Sequence, residues 1–486
     1  MGPDGLPGLI LQYFSYELSY PLSIIFNTSL SEGTVHNDWR CAEVTAIFKK
    51  GDKSSPGNYR PVSLTSVICK VLESFIREQL VLFMEGNNMF SSCQHGFKSH
   101  RSCVTQLLDV MNDLTELIEN GDSIDVLYLD FRKAFDTVPH QRLSNKLKAY
   151  GIDGNLLNWI QSFLSGRKQR VKVNNSDSDY SQVKNGIPQG SILGPVLFII
   201  FINDLPDLTQ NICKIFADDT KIYGSDDKFV SIQDDLFKLM QWSNTWQLHF
   251  NTDKCSVLHM GKKNKQHTYF MDEDRTKELK TIQSEKDVGV TFSTNMKFDL
   301  HISNIINKAN KLTGLIKRSF NHLDKNKLVM LYKSIVRPHL EYANVIWHPA
   351  FKRQRKNLEK VQRRATKIVS EFRDMSYEER LKALNLPSIK YRQLRGDLIQ
   401  TYKIIHNIDN VDTDKLFKFQ TSSNTRNSEF KLFKEFAKTK TRSNFLTYRI
   451  NNILNSLSVQ TRTAKNVNNF KTLVDIDLTG LRFDYD

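Results

Sequence analysis

The stretch "KIFADDTKIY", residues 214–223, decides how this chain is read. Ile215 and Phe216 lead in, and Ile222 and Tyr223 lead out, a pattern that suits two strands around a tight turn. Asp218 and Asp219 sit side by side at the tip. Like charges at the end of an apolar hairpin repel each other and resist desolvation. Two readings are open: a solvated turn, or a binding point for a divalent cation.

Working outward, "IDVLYLDF" (124–131) is a nearly unbroken apolar run. It reads as a central strand buried on both faces, with Asp130 at its carboxyl end. Enough chain separates Asp130 from Asp218 for their strands to lie side by side and bring the carboxylates to one end of a sheet. Convergent carboxylates need protons, basic partners or a metal. Magnesium takes few carboxylates and completes its shell with water and phosphate oxygens. Two such ions roughly 3.5–4 Å apart clamp the attacking and leaving oxygens of phosphoryl transfer. Each part alone also has an ordinary reading, because "ADD" turns are common in solvated loops and strands of α/β folds often end in Asp.

The remaining pattern alternates. Helical spacing runs over 66–85 with Gly86 as a stop, and over 103–119. Pro139 opens a helix ending at Gly151. "RKQRVKVNNSDSDYSQVKNG" reads as two short strands around a polar turn. "GIPQGSILGP" is dense in breakers and precedes an apolar helix ending near "INDLP". A helix through "LFKLMQWSNTWQ" and a strand at "KCSVLHMG" follow the hairpin. From about residue 300 helical patterns dominate, and "FKRQRKNLEKVQRRATK" (351–367) carries eight basic residues and one acid, Glu359. The tail from about 410 is rich in Asn, Ser, Thr and Lys and reads as partly flexible.

Composition narrows the classes. A chain of 486 residues is too long for one core and predicts two to four domains. Lys and Arg total 68 against 53 Asp and Glu, a net +15 that points to a polyanion, nucleic acid before membrane. The six cysteines form no C-x-x-C pair, which disfavours zinc and reads as reduced thiols in an intracellular protein. "MGPDGLPGLI" lacks the regions of a signal peptide and reads like the middle of a longer chain. The longest apolar run, "VLFIIFI" (196–202), is too short to span a bilayer.

"LDFRKAFDTV" (129–138), "GIPQGSILGP" (186–195) and "FADD" (216–219) occur in the order of reverse-transcriptase motifs. "NYRPVSLTS" (58–66) and "QHGFKSHRSC" (94–103) resemble the preceding finger motifs, and "NTDKCSVLHMG" and "KDVGVTF" the later palm motifs. "LYKSIVRPHLEYANVIWHP" (331–349) and "LEKVQRRATKIV" resemble the segment after the palm in jockey-like non-LTR, LINE-type retrotransposons. The ordered set covers nearly the whole chain.

The resemblance implies an α+β right-hand polymerase with a ferredoxin-like palm sheet. It divides the chain into an N-terminal segment (1–39), fingers and palm (40–299), a helical thumb (300–409) and a C-terminal tail region (410–486). The implied activity is RNA-directed DNA polymerisation for a retrotransposon. A primer 3′-hydroxyl is extended on an RNA template with dNTPs, using two Mg²⁺ ions for which Mn²⁺ can substitute. By similarity, Asp130 and Asp218 are metal ligands and Asp219 supports the cluster. Phe135 resembles the aromatic steric gate beneath the sugar, although "KAF" also reads as a core aromatic. Gln189 and Gly190 resemble the turn against the nascent base pair and template. Arg60, Lys98 and Arg101 resemble finger residues that meet the triphosphate, and Lys254 the lysine that protonates departing pyrophosphate. Arg353, Arg355, Arg363 and Arg364 are expected to track the duplex backbone, against the alternative of a solvated helix face.

The sequence departs from the family in two ways. Phe216 stands where many relatives carry Tyr, which removes a hydroxyl but no metal ligand. No upstream endonuclease segment or later ribonuclease H set is recognisable, so a truncated product is expected. The competing readings are a catalytically inactive nucleic-acid-binding relic and a mobile-intron maturase-type reverse transcriptase. The expected partners are an RNA template and a DNA primer or target, with no membrane. Nuclear localisation would follow from the family's target-primed mechanism.

Overall fold

In the computed structural model, which describes residues 2–173, 176–320, 322–420 and 430–485, the apolar run from 124 becomes the middle strand of a sheet. The first six strands are β1 (Cys41–Phe48), β2 (Tyr59–Leu64), β3 (Ile124–Leu129), β4 (Lys168–Val173), β5 (Ser176–Asp177) and β6 (Ser181–Gln182). The later six are β7 (Ile212–Phe216), β8 (Asp219–Ser225), β9 (Ser256–Met260), β10 (Lys280–Ile282), β11 (Ser284–Asp287) and β12 (Val290–Ser293). The class is α+β, as expected.

The central sheet has the order β10-β9-β3-β8-β7. Its β9-β3-β8-β7 portion is antiparallel throughout. Helices follow β3, and the helix Phe229–Trp246 joins β8 to β9, so the connectivity is the βαββαβ of a ferredoxin-like unit. Alternation along β3 splits its side chains between two cores. Ile124 and Val126 pack with Leu107, Met111 and Leu114 of the helix Cys103–Asn120. Leu127 and Leu129 pack with Ile199, Leu236 and Leu239 on the opposite face. That two-sided burial is why the run shows no polar alternation.

A second sheet has the order β2-β1-β4-β5, with β6 also on β4. The segment from Arg167 therefore yields three short strands where two were expected. Two of them are only two residues long, too short to leave a period in the sequence. Asn174 and Asn175 of that turn lie outside the described residues.

The hairpin β11–β12 is fastened to the central sheet by an ion pair between Lys221 of β8 and Asp287 of β11. Both side chains are nearly inaccessible, at 1% and 3% exposure. Tyr342, from the helical region beyond, donates its hydroxyl to Val288 O in the turn of the same hairpin at 2.8 Å.

The helices after residue 298 share one core with the back of the central sheet. The tail belongs to that core, which corrects the expectation of flexibility for its described residues. Phe445, Leu446, Ile450, Leu454, Phe470 and Val474 are buried in it. Arg442 donates to Asn112 O, Asn112 Oδ1 and Thr115 Oγ1 of the helix Cys103–Asn120 at 2.7–3.0 Å. Several tail helices are only four to six residues long, so none shows a full amphipathic period and tertiary burial stabilises them. Residues 421–429 of the tail lie outside the described residues. Among the described residues no helix is long and apolar enough to cross a membrane.

Removing one member of the Lys221–Asp287 pair leaves an uncompensated buried charge. Lys221→Met is expected to cost about 3–5 kcal/mol in chemical denaturation, and Lys221→Met/Asp287→Leu to recover most of it. A cost near zero for the single variant would show that the pair does not hold the hairpin.

Candidate active site

The hairpin of the opening stretch forms as its alternation requires, with Phe216 pairing Asp219 across β7 and β8. The β3–β8 ladder ends at Leu129 opposite Thr220, so the next residues along, Asp130 and Asp219, face one another across the strand ends. Backbone contacts hold Asp130 in place. Its N–H points to Cys255 Sγ at 3.5 Å, and its carbonyl accepts from Asn251 N–H at 2.6 Å. Its carboxylate accepts from Lys254 Nζ at 2.8 Å. Asp130, Asp219 and Lys254 line a concave pocket of about 150 Å³ with Tyr128, Lys221 and Asp287.

The electrostatics follow from this crowding. Burial pushes the Asp218 carboxyl above its ordinary value and Asp130 adds to the rise, while Arg60 and Lys49 oppose it. Asp219 is pushed up to about 6, by the surrounding protein first and then by Asp218 and Asp287, while Lys221 opposes the rise. Raised carboxylates that repel one another are the donor set a hard divalent cation relieves. Among the described residues no three carboxylate, imidazole or thiolate groups form a ready-made metal cage. An open site of this kind fits Mg²⁺, which keeps water and substrate phosphate in its shell.

Beside the carboxylates lies a second built region. Phe135 sits in the short helix Ala134–Thr137, half-buried, with its ring stacked on Phe198 at 4.5 Å between centroids. Its carbonyl accepts from Ile187 N–H at 2.7 Å, which docks "GIPQG" onto this turn. Gln189 Nε2 donates to Asp136 Oδ1 at 2.8 Å, and Gln189 O accepts from Ser63 N–H at 2.6 Å. Gly190 has φ +125° and lies so close to β2 that a Cβ there would meet Ser63 O at 2.4 Å. Phe135, Gln189 and Gly190 are thus tied to β2, the strand that carries the exposed Arg60.

Lys98 and Arg101, expected to meet the triphosphate, both turn back on their own loop. Lys98 Nζ donates to Ser91 O at 3.1 Å and lies 5.5 Å from the Phe90 ring centroid. Arg101 Nη1 donates to Ser92 O at 2.5 Å and to Gln94 O at 3.2 Å. Burial, with Arg101 adding to it, lowers the Lys98 ammonium to about 8. Loop carbonyls with no strand partner take these donors.

The basic run forms the helix Lys352–Ala365. Arg353, Lys356, Lys360 and Arg364 fall on one exposed stripe at helical spacing. Arg364 also reaches Asn310 Oδ1 at 3.2 Å. Arg355 leaves the stripe and donates to Pro349 O at 3.2 Å, while Arg363 lies over the rings of Tyr377 and Tyr485 at 4.7 and 5.3 Å. All four arginines of the run are exposed; Arg353 and Arg364 lie on the stripe with Lys356 and Lys360, whereas Arg355 and Arg363 are engaged within the chain.

Sequence reasoning missed Gln94, Lys221 and Asp287. A lysine directly before Ile222 and Tyr223 in the return strand was the available signal for Lys221, because a buried cation requires a partner.

Residues 47–291, half of the chain, match the family described as reverse transcriptase (RNA-dependent DNA polymerase), and the chain belongs to that family. It is 28% identical over 349 residues to the RNA-directed DNA polymerase from mobile element jockey of Drosophila melanogaster, covering 68% of this chain and 38% of that one. It is 26% identical over 363 residues to the probable RNA-directed DNA polymerase from transposon X-element of the same organism, covering 72% of this chain and 40% of that one. The likeness to jockey-type non-LTR elements read from the motifs stands. The chain spans about two fifths of the length of these relatives. Among solved structures, the apo telomerase from Candida tropicalis aligns at a TM-score of 0.42 and 11% identity, covering 76% of this chain and 66% of that one, a likeness too slight to carry an argument.

The one acid of the basic helix, Glu359, is buried and accepts from Tyr377 Oη and from Ile389 N–H. Burial raises its carboxyl from 4.5 to about 7 despite those hydrogen bonds. A raised carboxyl favours the fold when neutral, so its contribution is fully present below 4.5 and is lost as pH rises through about 7. Glu359→Gln is expected to remove this dependence, gaining at most about 3 kcal/mol over wild type at pH 8 and little at pH 4. Parallel pH–stability curves for the two proteins would contradict it.

Proposed function

We propose that the chain is an RNA-directed DNA polymerase of a non-LTR retrotransposon, joining dNTPs to a DNA primer on an RNA template. The observation that carries this reading is the placement of Asp130 across from the Asp218–Asp219 tip, with the segment bearing Phe135 following β3 and the turn bearing Gln189 docked onto it. On this reading residues 40–299 form fingers and palm, 300–409 the thumb and 410–486 a C-terminal region braced on the palm.

Asp130 and Asp218 would hold two Mg²⁺ ions, with Asp219 adding negative charge to the same cluster. When bound, the metal pair supplies acidification of the primer hydroxyl and neutralisation of the leaving pyrophosphate, and Mn²⁺ serves the same chemistry. The chain's own groups do the rest. Lys254, now paired with Asp130, stands at the rim of the pocket with an ammonium proton to give to the departing pyrophosphate. Arg60, which lowers the Asp218 carboxyl, supplies positive charge to the triphosphate. Phe135, braced by Phe198, presents a rigid ring beneath the sugar. Gln189 and Gly190, fixed against Ser63, support the nascent base pair. Arg353, Lys356, Lys360 and Arg364 meet backbone phosphates. Extension of a chromosomal target would place the protein in the nucleus.

Primer extension on an RNA template with Mg²⁺ tests the reading. Asp218→Asn keeps the size of the side chain and loses its charge. Activity is expected to fall at least about 100-fold. Stability should hold or rise, since the substitution removes a repelled charge. Extension at the wild-type rate would refute the metal role.

Phe135→Val tests the gate. Discrimination by a clash disappears when the ring is removed. The ratio of kcat/KM for dGTP over GTP is expected to fall at least about tenfold, with dGTP still incorporated. An equal loss for both nucleotides would make Phe135 a packing residue only.

A further inference from the structure

The turn that carries Asp218 is not self-supporting. Ala217 and Asp218 form a two-residue loop between Phe216 and Asp219. Ala217 has φ +55°, the left-handed region that such hairpins usually give to glycine. Alanine has no side-chain hydrogen bond to offset that conformation. Its support comes from a distant segment of the chain.

Residues 93–95 run parallel to β7, the edge strand of the central sheet. Ile215 N–H donates to Cys93 O at 3.0 Å, and His95 N–H to Ile215 O at 2.9 Å. From this segment the Gln94 side chain, 2% exposed, reaches past the end of the strand to the turn. Gln94 Oε1 accepts from Ala217 N–H at 3.0 Å and from Gly96 N–H at 2.6 Å. Gln94 Nε2 donates to Ala217 O at 3.4 Å. One amide thus engages both backbone polar groups of the left-handed residue. Gly96 completes the fit, because a Cβ there would meet Ala217 N at 2.4 Å.

We propose that Gln94 is a positioning residue for the active site. Its amide holds Ala217 left-handed and so fixes the direction in which Asp218 projects toward Asp130. It touches neither substrate nor metal, and acts only through the Ala217 peptide. In so far as the consequence is catalytic, it rests on the polymerase reading above. The fingers segment and the catalytic hairpin then form one mechanical unit, and a displacement of residues 93–96 is transmitted to the carboxylates.

The test uses Gln94→Met, which keeps length and loses both hydrogen-bonding groups. Amide hydrogen exchange over residues 214–220 is expected to accelerate at least about tenfold, with exchange over 124–129 unchanged. In primer extension, the Mg²⁺ concentration giving half-maximal rate is expected to rise at least about threefold, because a misdirected carboxylate binds the ion less well. Ala217→Gly placed in the Gln94→Met background should recover part of that loss, since glycine adopts the turn without a clamp. A merely structural glutamine would lower stability without moving the Mg²⁺ requirement and would not be rescued by glycine at 217. Unchanged exchange over 214–220, or an unchanged Mg²⁺ requirement in an active variant, overturns the proposal. If Gln94→Met does not fold, Gln94→Glu, which keeps the Oε1 acceptor, gives the same comparison with the outcome reversed: protection near wild type. A wild-type chain that extends no primer sinks the polymerase reading, and the exchange measurement still decides the clamp.

Discussion

The antiparallel pairing of β3 with β8 is the constraint on which the rest of the molecule depends. It places the end of the buried strand beside the tip of the hairpin, so that Asp130 and Asp219 stand across from one another. A slip of one residue would turn Leu127 and Leu129 out of one core and Ile124 and Val126 out of the other. The register is therefore fixed by two hydrophobic cores at once. The site inherits its geometry from packing that has no chemical role of its own.

The carboxylates set a cost that the surroundings meet in different ways. Lys254 compensates Asp130 directly, whereas Lys49 and Arg60 act on Asp218 through space. Lys221 is turned below the site to Asp287, where it anchors β11–β12 and still lowers Asp219. The same cation thus serves packing and electrostatics. The hairpin it holds is in turn touched by Tyr342, so the helical region is tied to β8 through two contacts.

Much of this was legible in the sequence. The run 124–131 and the "ADD" turn gave the strands and the meeting of the carboxylates, because two-sided burial and a charged tip leave plain patterns. The "GIPQG" turn was placed by its breakers, although its dependence on Ser63 needed the sheet. The tail was not legible, since helices of four residues carry no periodicity and are stabilised by a core assembled from distant segments. The direction of Lys98 and Arg101 was not legible, because charge in a loop says nothing about direction, and the loop's own carbonyls take both. Gln94 was invisible as a positioning residue, for its partner lies more than a hundred residues away and is a backbone unit.

The proposed role of Asp130 and Asp218 is to hold a divalent cation together at the end of the central sheet. Titration of Mn²⁺ into the protein in the presence of a dNTP, followed by electron paramagnetic resonance, measures this without relying on turnover. Saturable binding is expected for the wild type, weakened at least about tenfold in Asp130→Asn/Asp218→Asn with the fold intact. Equal Mn²⁺ binding by the two proteins would contradict it.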